Sequence, residues 1–416
     1  MTATGVRQGV SADVDRLLTR FTRFLLLYSA EGGFELRETV RSVGAAYQAD
    51  ADVLAVAEGA VLVVRHPDGS EHADTVHVAP ELARLDLVAE GKFLAGRISA
   101  GGLTAADADR ELAGLAARRE SYPAWLRIIG VTLFAAGFAP SVQATWRELG
   151  SSVILGAVMG VLFVVADRLR VLRTLLPIVG PLVVAVIAFE ALHADRAPGG
   201  PVILMIPALF VLIPGDFLCA ATVELAVGQI TPGAVRLAQA AFTLVELAAG
   251  VVIAAEITGA GTRSLFEARV PSALPGWVLV VSWIPFTIGL AWTFSARMRD
   301  VPWILGLVYI AWGVQQGMTR AVGPTAGTFA AAAALAVVAG LLERSARRPP
   351  RIVLILGGFF ALTVGALALR GLTTIDAGNQ AQGLADLRDA ITQTTALTLG
   401  LIVGAIAAMA GARNRT

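Results

Sequence analysis

The chain is short of charge, of lysine and of cysteine. Only 16% of its 416 residues are charged, against about a quarter in an ordinary soluble domain, and that shortage excludes a soluble enzyme. Asp and Glu number 32 against 33 Lys and Arg, so there is neither the basic surplus that nucleic acid demands nor an acidic tail. Lys92 is the single lysine, and the preference for arginine reflects GC-rich coding rather than chemistry. Cys219 is the single cysteine, which excludes intrachain disulfides and cysteine-rich metal or iron–sulfur sites. No G-x-S-x-G, H-E-x-x-H or glycine-rich phosphate loop occurs, so neither hydrolysis nor nucleotide drive is expected, and no cofactor or metal is called for. The first 20 residues contain Asp13, Asp15 and several arginines but no apolar segment, and no cleavable signal peptide is expected.

Apolar residues are abundant: 56% of the chain is hydrophobic and the mean hydropathy is +0.70. Charge crowds into residues 1–120 and then thins into clusters between long apolar runs, which divides the chain into a polar head and a membrane body. In the head, Val14, Leu17, Leu18, Phe21, Phe24, Leu25 and Tyr28 recur at helical spacing and predict an amphipathic helix over 11–29. A second helix is predicted over 34–48, after Gly32-Gly33. Runs at 52–57, 60–65 and 75–79 predict strands, the last two joined by a turn at Pro67-Asp68-Gly69. Residues 81–119 are helical again, interrupted at Gly101-Gly102, with Thr104 as a cap. His66, Asp68, Glu71, His72, Asp74 and His77 lie close together, but on a hairpin turn and at no zinc spacing, so a solvated hairpin is expected rather than a metal site.

Ten apolar runs follow, near 124–140, 150–167, 173–192, 201–219, 234–257, 275–294, 302–318, 324–342, 352–370 and 390–411, most of them near the length a bilayer crossing needs. Eleven arginines (Arg168, Arg170, Arg173, Arg297, Arg299, Arg344, Arg347, Arg348, Arg351, Arg413 and Arg415) fall on one side of these runs. Seven (Arg147, Arg196, Arg263, Arg269, Arg320, Arg370 and Arg388) fall on the other. The positive-inside rule therefore places the head and both termini in the cytoplasm, with the body crossing the cytoplasmic (inner) membrane.

The runs also repeat. The first begins near 125 and the sixth near 276, and the fourth breaks at Pro214-Gly215 as the ninth does at Val364-Gly365. Because five helices is an odd number, the second set enters the membrane in the opposite sense. The expected fold is an all-α polytopic membrane bundle of about ten transmembrane helices, arranged as two inverted five-helix repeats over 121–258 and 272–412. A small cytoplasmic α+β domain, residues 1–120, precedes it. Such repeats recur among secondary transporters, and paired interruptions point to a midplane solute site because broken helices expose backbone groups. An ordinary proline kink is the bland alternative.

Substrate-site candidates are accordingly Pro214, Gly215, Asp216 and Gly365 at the breaks, Arg236 at the start of the fifth run, and Thr392 and Gln393 in the tenth. Glu246 stands mid-run in FTLVELAAG, where an ionised group costs roughly 2.5–3.5 kcal/mol, and is the expected proton carrier; Glu224 is the second. Solvation at helix ends is the alternative for Asp216, Glu224, Arg236, Asp386 and Asp389. For Gln315, Gln316 and Thr392 to Thr395 it is interhelical hydrogen bonding. Gly156 with Gly160 and Gly400 with Gly404 permit close packing within or between protomers, which leaves a homo-oligomer open.

Together these features resemble the threonine/serine exporter family. LIPGDFLCAATVELAVGQITPGAVRLAQAAF is similar to that family's first-half signature, with its Pro-Gly break, Gly228, Gly233 and Arg236. RPPRIVLILGGFFALTVGALALRGL is similar to the second-half signature, with Pro349-Pro350 ahead of an interrupted helix ending near Arg370. AEGGFELRETVRSVGAAY looks like the head's glycine-then-helix element, and the likeness spans about residues 12–410. The sequence departs from the family at Thr363-Val364-Gly365, where Leu-Pro-Gly is usual, and in the longer, more charged tract TTIDAGNQAQGLADLRDA. The resemblance implies proton-driven export of threonine, serine or related small metabolites. The alternatives are export of small dicarboxylates, a channel, or a membrane-anchored signalling or scaffold protein whose head is the working part.

Overall fold

The computed structural model describes residues 3–28, 33–56, 59–77, 84–192, 198–226, 228–261, 265, 270–344, 348–362 and 364–413. Arg196, Arg263, Arg269, Arg347, Thr363 and Arg415, used above, lie outside these residues, as do positions 78 and 79 of the third expected strand.

The head begins with α1 (Ala3–Tyr28) and α2 (Gly33–Ala46), continues through β1 (Asp50–Val56), β2 (Gly59–Arg65) and β3 (Glu71–His77), and ends with α3 (Leu85–Ser99) and α4 (Ala105–Ala116). The three strands form one antiparallel sheet in the order β1-β2-β3, with Asp50 opposite Arg65 and Gly59 opposite His77. β3 starts earlier than the hydrophobic pattern indicates. Arg65 pairs with Glu71 at 2.9 Å and Asp68 accepts from the Ser70 amide at 2.9 Å, so the polar residues 71–74 zip onto β2 with only one face covered. Leu17, Leu18 and Phe21 of α1 meet Leu62 and Val64 of β2, Leu94 of α3 and Leu112 of α4 in a fully buried core. Thr104 caps α4 by accepting from the Asp107 amide, as its spacing predicts.

The body holds α5 (Ala124–Phe138), α6 (Trp146–Arg168), α7 (Arg170–Glu190), α8 (Pro201–Leu209), α9 (Gly215–Ala226) and α10 (Ile230–Ile257). Then come α11 (Gly276–Thr293), α12 (Val301–Ala321), α13 (Pro324–Glu343), α14 (Arg351–Ala361), α15 (Val364–Asp376) and α16 (Gln380–Arg413). Among the described residues, eight helices are long and apolar enough to cross a membrane, the stretch Arg351–Asp376 counted as one of them. Thr145 and Glu148 close a capping box at the start of α6. Gly200, at φ 87°, lets the chain turn into Pro201, whose fixed φ suits the first turn of α8.

Small residues set the closest approaches. A Cβ on Gly156 would sit 2.9 Å from Ala135, and one on Gly160 2.8 Å from the Ile128 carbonyl, so α6 lies directly on α5. Gly400 and Gly404 press α16 against α13 in the same way, at Ala332 and Ala336. Both glycine pairs are thus occupied by packing within the chain.

The head is docked on the body. The Leu85 amide donates to the Phe294 carbonyl (3.0 Å), and beside it Tyr122, just past the head, donates to the Ala296 carbonyl (2.8 Å). Burial, with the Asp86 and Asp300 carboxylates nearby, pushes the Tyr122 phenol upward, which keeps it a donor. Arg297 pairs with Glu90 (3.1 Å) and Asp300 (2.8 Å) and lies over the Phe93 ring. Lys92 stands between Glu35 and Glu343, at 3.8 and 3.9 Å, and Arg351 also meets Glu35.

Candidate functional site

Every residue of α8 is buried. A short 3-10 turn over Phe210–Leu212 follows, Ile213 is extended, and α9 restarts at Gly215, so the helix is interrupted at Pro214 as the sequence predicts. Pro214 has no amide hydrogen to continue the ladder, and the Gly215 amide turns back to the Ile213 carbonyl (2.8 Å). The second interruption falls between α14 and α15. There the Leu362 amide bonds to the Phe359 and Phe360 carbonyls, and Gly365 is the second residue of the new helix.

The two interruptions face each other. A Cβ on Gly215 would lie 2.7 Å from the Phe359 ring, and the rings of Phe210 and Phe360 meet edge to face at 5.5 Å. Around them gather Phe134 and Phe286, stacked at 4.8 Å, with Phe138 stacked on Phe210 and Phe294 on Phe360. Six phenylalanines from four segments (α5, the turn after α8, α11 with its C-cap, and α14) therefore fill the middle of the bundle next to the breaks. Gly357 and Gly358 carry α14 against Ile304 of α12 and Leu335 of α13.

Of the expected polar residues, Arg236 and Glu224 are brought together: Arg236 Nε lies 3.2 Å from Glu224 Oε2, and the Glu224 side chain is 1% exposed. The other carboxylate oxygen accepts from the Gly33 amide at 2.9 Å, at the first residue of α2 in the head. Asp216 is the second residue of α9. Gln393 meets the Thr328 hydroxyl, to which Gln315 also donates at 3.4 Å, so α12, α13 and α16 share one polar contact. Thr392 is exposed and bonds back to the Arg388 carbonyl of its own helix at 2.9 Å. Glu246 is half-buried at the border between the packed residues Leu247 and Gly250 and the exposed Phe242 and Val245. One turn on, Gly250 presses against the Ile178 carbonyl of α7.

In the head, His66 bonds Asp15 at 2.8 Å and Glu71 pairs with Arg65. No three metal-ligating side chains converge among the described residues.

The threonine/serine exporter family model (ThrE) matches residues 16–258, which take in the head and α5 to α10. The chain belongs to the threonine/serine exporter family. It is also similar over its second half: a Mycobacterium tuberculosis (strain ATCC 25618 / H37Rv) protein named "Probable threonine/serine exporter" is 24% identical over 422 residues, covering 96% of this chain and 79% of that protein. No solved structure matches the chain. Membership of an exporter family, with eight helices able to cross a membrane, makes this a multi-pass membrane protein of transport type.

For this threonine/serine exporter family member, sequence reasoning located both breaks but missed the aromatic cluster between them and the ion pair of Arg370 with Asp386 (3.5 Å). A signal for the aromatics was present: Phe134 and Phe286, and Phe210 and Phe360, recur at the offset of the glycine landmarks.

Proposed function

We propose that the chain is a secondary active exporter of small polar amino acids, threonine and serine, driven by the proton gradient across the cytoplasmic membrane. The observation that carries this reading is the meeting of the two interrupted helices in the middle of the bundle, Gly215 against Phe359 and Phe210 against Phe360. Unwound backbone at membrane depth is tolerated only where protein or a solute satisfies it, so paired breaks belong at a solute path. The substrate site is assigned to this junction, with Pro214, Gly215, Asp216 and Gly365 around it and Gln393 as a polar contributor from α16. Glu246 carries the proton, as a carboxyl that a bound proton discharges inside the membrane.

The body is read as two inverted five-helix repeats, 121–258 and 272–412, beneath a cytoplasmic head of residues 1–120, with both termini cytoplasmic. Supporting the inversion, Tyr122 and Arg127 put the start of α5 on the head side, whereas Phe294 and Ala296 put the end of α11 there. Likewise the end of α13 (Glu343) and the starts of α12 (Arg297) and α14 (Arg351) meet the head. Like-placed residues also touch reciprocally: a Cβ on Gly137 would strike the Phe286 backbone and one on Gly289 the Phe134 backbone, as contacts on a two-fold axis must.

The test is efflux from cells loaded with a threonine-containing dipeptide. Wild type is compared with Glu246→Gln and with empty vector, with and without an uncoupler. The reading expects threonine or serine efflux that the uncoupler stops and Glu246→Gln abolishes at normal expression. Efflux equal to the empty vector overturns the substrate assignment, and dicarboxylates are then assayed; uncoupler-resistant efflux overturns the proton drive.

A further inference from the structure

Two ion pairs, each a buried carboxylate with a partly exposed arginine, occupy like positions along the body with their charges exchanged. Arg236 is the seventh residue of α10 and pairs with Glu224 of α9; Asp386 is the seventh residue of α16 and pairs with Arg370 of α15. The packing around them is also alike. A Cβ on Gly233 would lie 2.8 Å from Leu225 of α9, and one on Gly383 would lie 2.5 Å from Ile375 of α15. α9 further packs on α16, and α15 on α10, so each short helix after a break bridges the two halves.

The pairs lie at opposite ends of the bundle. Glu224 is within hydrogen-bond distance of the head at Gly33. Arg344, at the head-side end of α13, bonds the Ala408 carbonyl near the C-terminal end of α16, which is thus on the head side. Asp386 stands 22 residues earlier on that helix, about 33 Å away at 1.5 Å per residue. A charged pair buried in a membrane protein is costly unless both partners are held, and it can be released only by hydrating both. Each pair ties the short helix following a break to the long helix after it, between that break and one end of the bundle.

We propose that Glu224–Arg236 and Arg370–Asp386 are the head-side and far-side gates of the solute path, and that the head holds the first of them shut through the Gly33 amide. The amide is the first of α2, where a helix N-terminus favours an anion, so a docked head stabilises Glu224 in its paired position. Asp386 has instead Gln382 of its own helix (3.0 Å) beside Arg370. Only the head-side gate therefore answers to the head. This inference rests on the exporter reading, but it concerns which side of the molecule opens and is read without measuring flux.

Reporter cysteines test it in a Cys219→Ala background: Leu225→Cys for the head side and Ile375→Cys for the far side, labelled with a membrane-impermeant maleimide in vesicles of each orientation. The neutral pair Glu224→Gln/Arg236→Gln, which strands no charge, should raise Leu225→Cys labelling and lower Ile375→Cys labelling. The neutral pair Asp386→Asn/Arg370→Gln should do the reverse. Each change is expected to be about tenfold, the shift given by about 1.4 kcal/mol between two states. Gly33→Pro, combined with Ala55→Gly to clear the 3.0 Å approach to the Ala55 side chain, removes the amide donor and should reproduce only the first pattern. The exchanged pair Arg370→Asp/Asp386→Arg, which has no contact with the head to lose, should return both sites toward wild-type labelling. Labelling that rises at both reporters, or at neither, makes the pairs mere packing and overturns the proposal. Opposite shifts in a protein that exports no threonine would leave the gates standing and overturn the substrate alone.

Discussion

The crossing of α5 and α11 depends on three glycines, and replacing one of them gives a sharp test of how the halves are joined. A Cβ on Gly289 would lie 2.6 Å from the Gly130 carbonyl oxygen and 2.8 Å from the Leu133 carbonyl carbon, and it would also strike the Phe134 amide nitrogen. Ordinary contact begins near 3.4 Å, so Gly289→Ala forces the two backbones apart by a good part of an ångström. A gap of about 0.5–1 Å already forfeits a quarter to a half of each dispersion contact along the seam. That seam includes the Phe134–Phe286 stack at 4.8 Å and the approach of Gly130 to Trp292. Overpacking costs about 1–3 kcal/mol when side chains can yield; the struck atoms here are backbone, so the upper figure, about 3 kcal/mol, applies. Gly306→Ala in α12 is the matched control. A Cβ there meets nothing within 4 Å, and helix propensity alone favours alanine by about 1 kcal/mol. Heating the purified proteins in detergent and following the folded fraction by size exclusion should place the Gly289→Ala midpoint well below wild type and the Gly306→Ala midpoint at or above it. Equal midpoints for the two variants would refute the tight crossing.

Three further outcomes are expected. Arg127 is buried between Glu120 and Asp167, 2.6 Å from each; Arg127→Met should cost about 3 kcal/mol, with much of it recovered by adding Asp167→Leu, measured as a double-mutant cycle on the melting midpoint. Gln393→Leu should raise the apparent KM for threonine with folding intact, whereas Thr392→Ala, whose hydroxyl bonds back to Arg388 and faces outward, should leave transport unchanged; an unaltered KM in Gln393→Leu confines that residue to interhelical bonding. Arg297→Ala, which loses Glu90, Asp300 and the Phe93 ring together, should speed hydrogen exchange at the Leu85 amide about tenfold by loosening the head, about 1.4 kcal/mol; unchanged exchange would mean that the apolar seam alone holds it.

How far the sequence revealed this structure depended on the range of the interaction. Apolar runs located eight helices long and apolar enough to cross a membrane because hydropathy is local, while the runs at 201–219 and 302–318 are not among those eight in the described residues; Pro214-Gly215 announced its break because proline acts on its own backbone. The apolar run that marks α16 begins at 390, ten residues after the helix itself. Its first turns, QAQGLADLRDA, are polar yet helical, held by Gln382 on Asp386 and by Asp386 against Arg370. Hydropathy registers only the part of a helix that meets lipid. Arg236 with Glu224 was legible as one option among several because both follow the same break. Docking of the head was not, since Arg297 and Glu90 stand 207 residues apart and nothing periodic connects them. The aromatic cluster was half legible: the recurrence of Phe134 with Phe286 and of Phe210 with Phe360 was visible in the chain, but their contact depends on the glycine crossing that brings them together.

A body that served only to anchor the head would have little reason to carry these features. An anchor is best made of uninterrupted apolar helices whose backbone groups satisfy one another within each segment. Here the wholly buried α8 ends at Leu209 and its continuing turn breaks off before Pro214 in the middle of the bundle, and a second helix is interrupted opposite it. Beyond each interruption lies a buried carboxylate paired with a partly exposed arginine, Glu224 with Arg236 and Asp386 with Arg370. Each such feature weakens a static bundle, because it gives up helical hydrogen bonds or desolvates charge. All of them favour a bundle that must rearrange. Phenylalanines close the middle through dispersion alone, without directional bonds, while the ion pairs hold the ends through contacts that water can replace. In the proposed gating, the barrier to opening lies at the two ends, where a solute or a docked head can act on it, and not in the aromatic core between them.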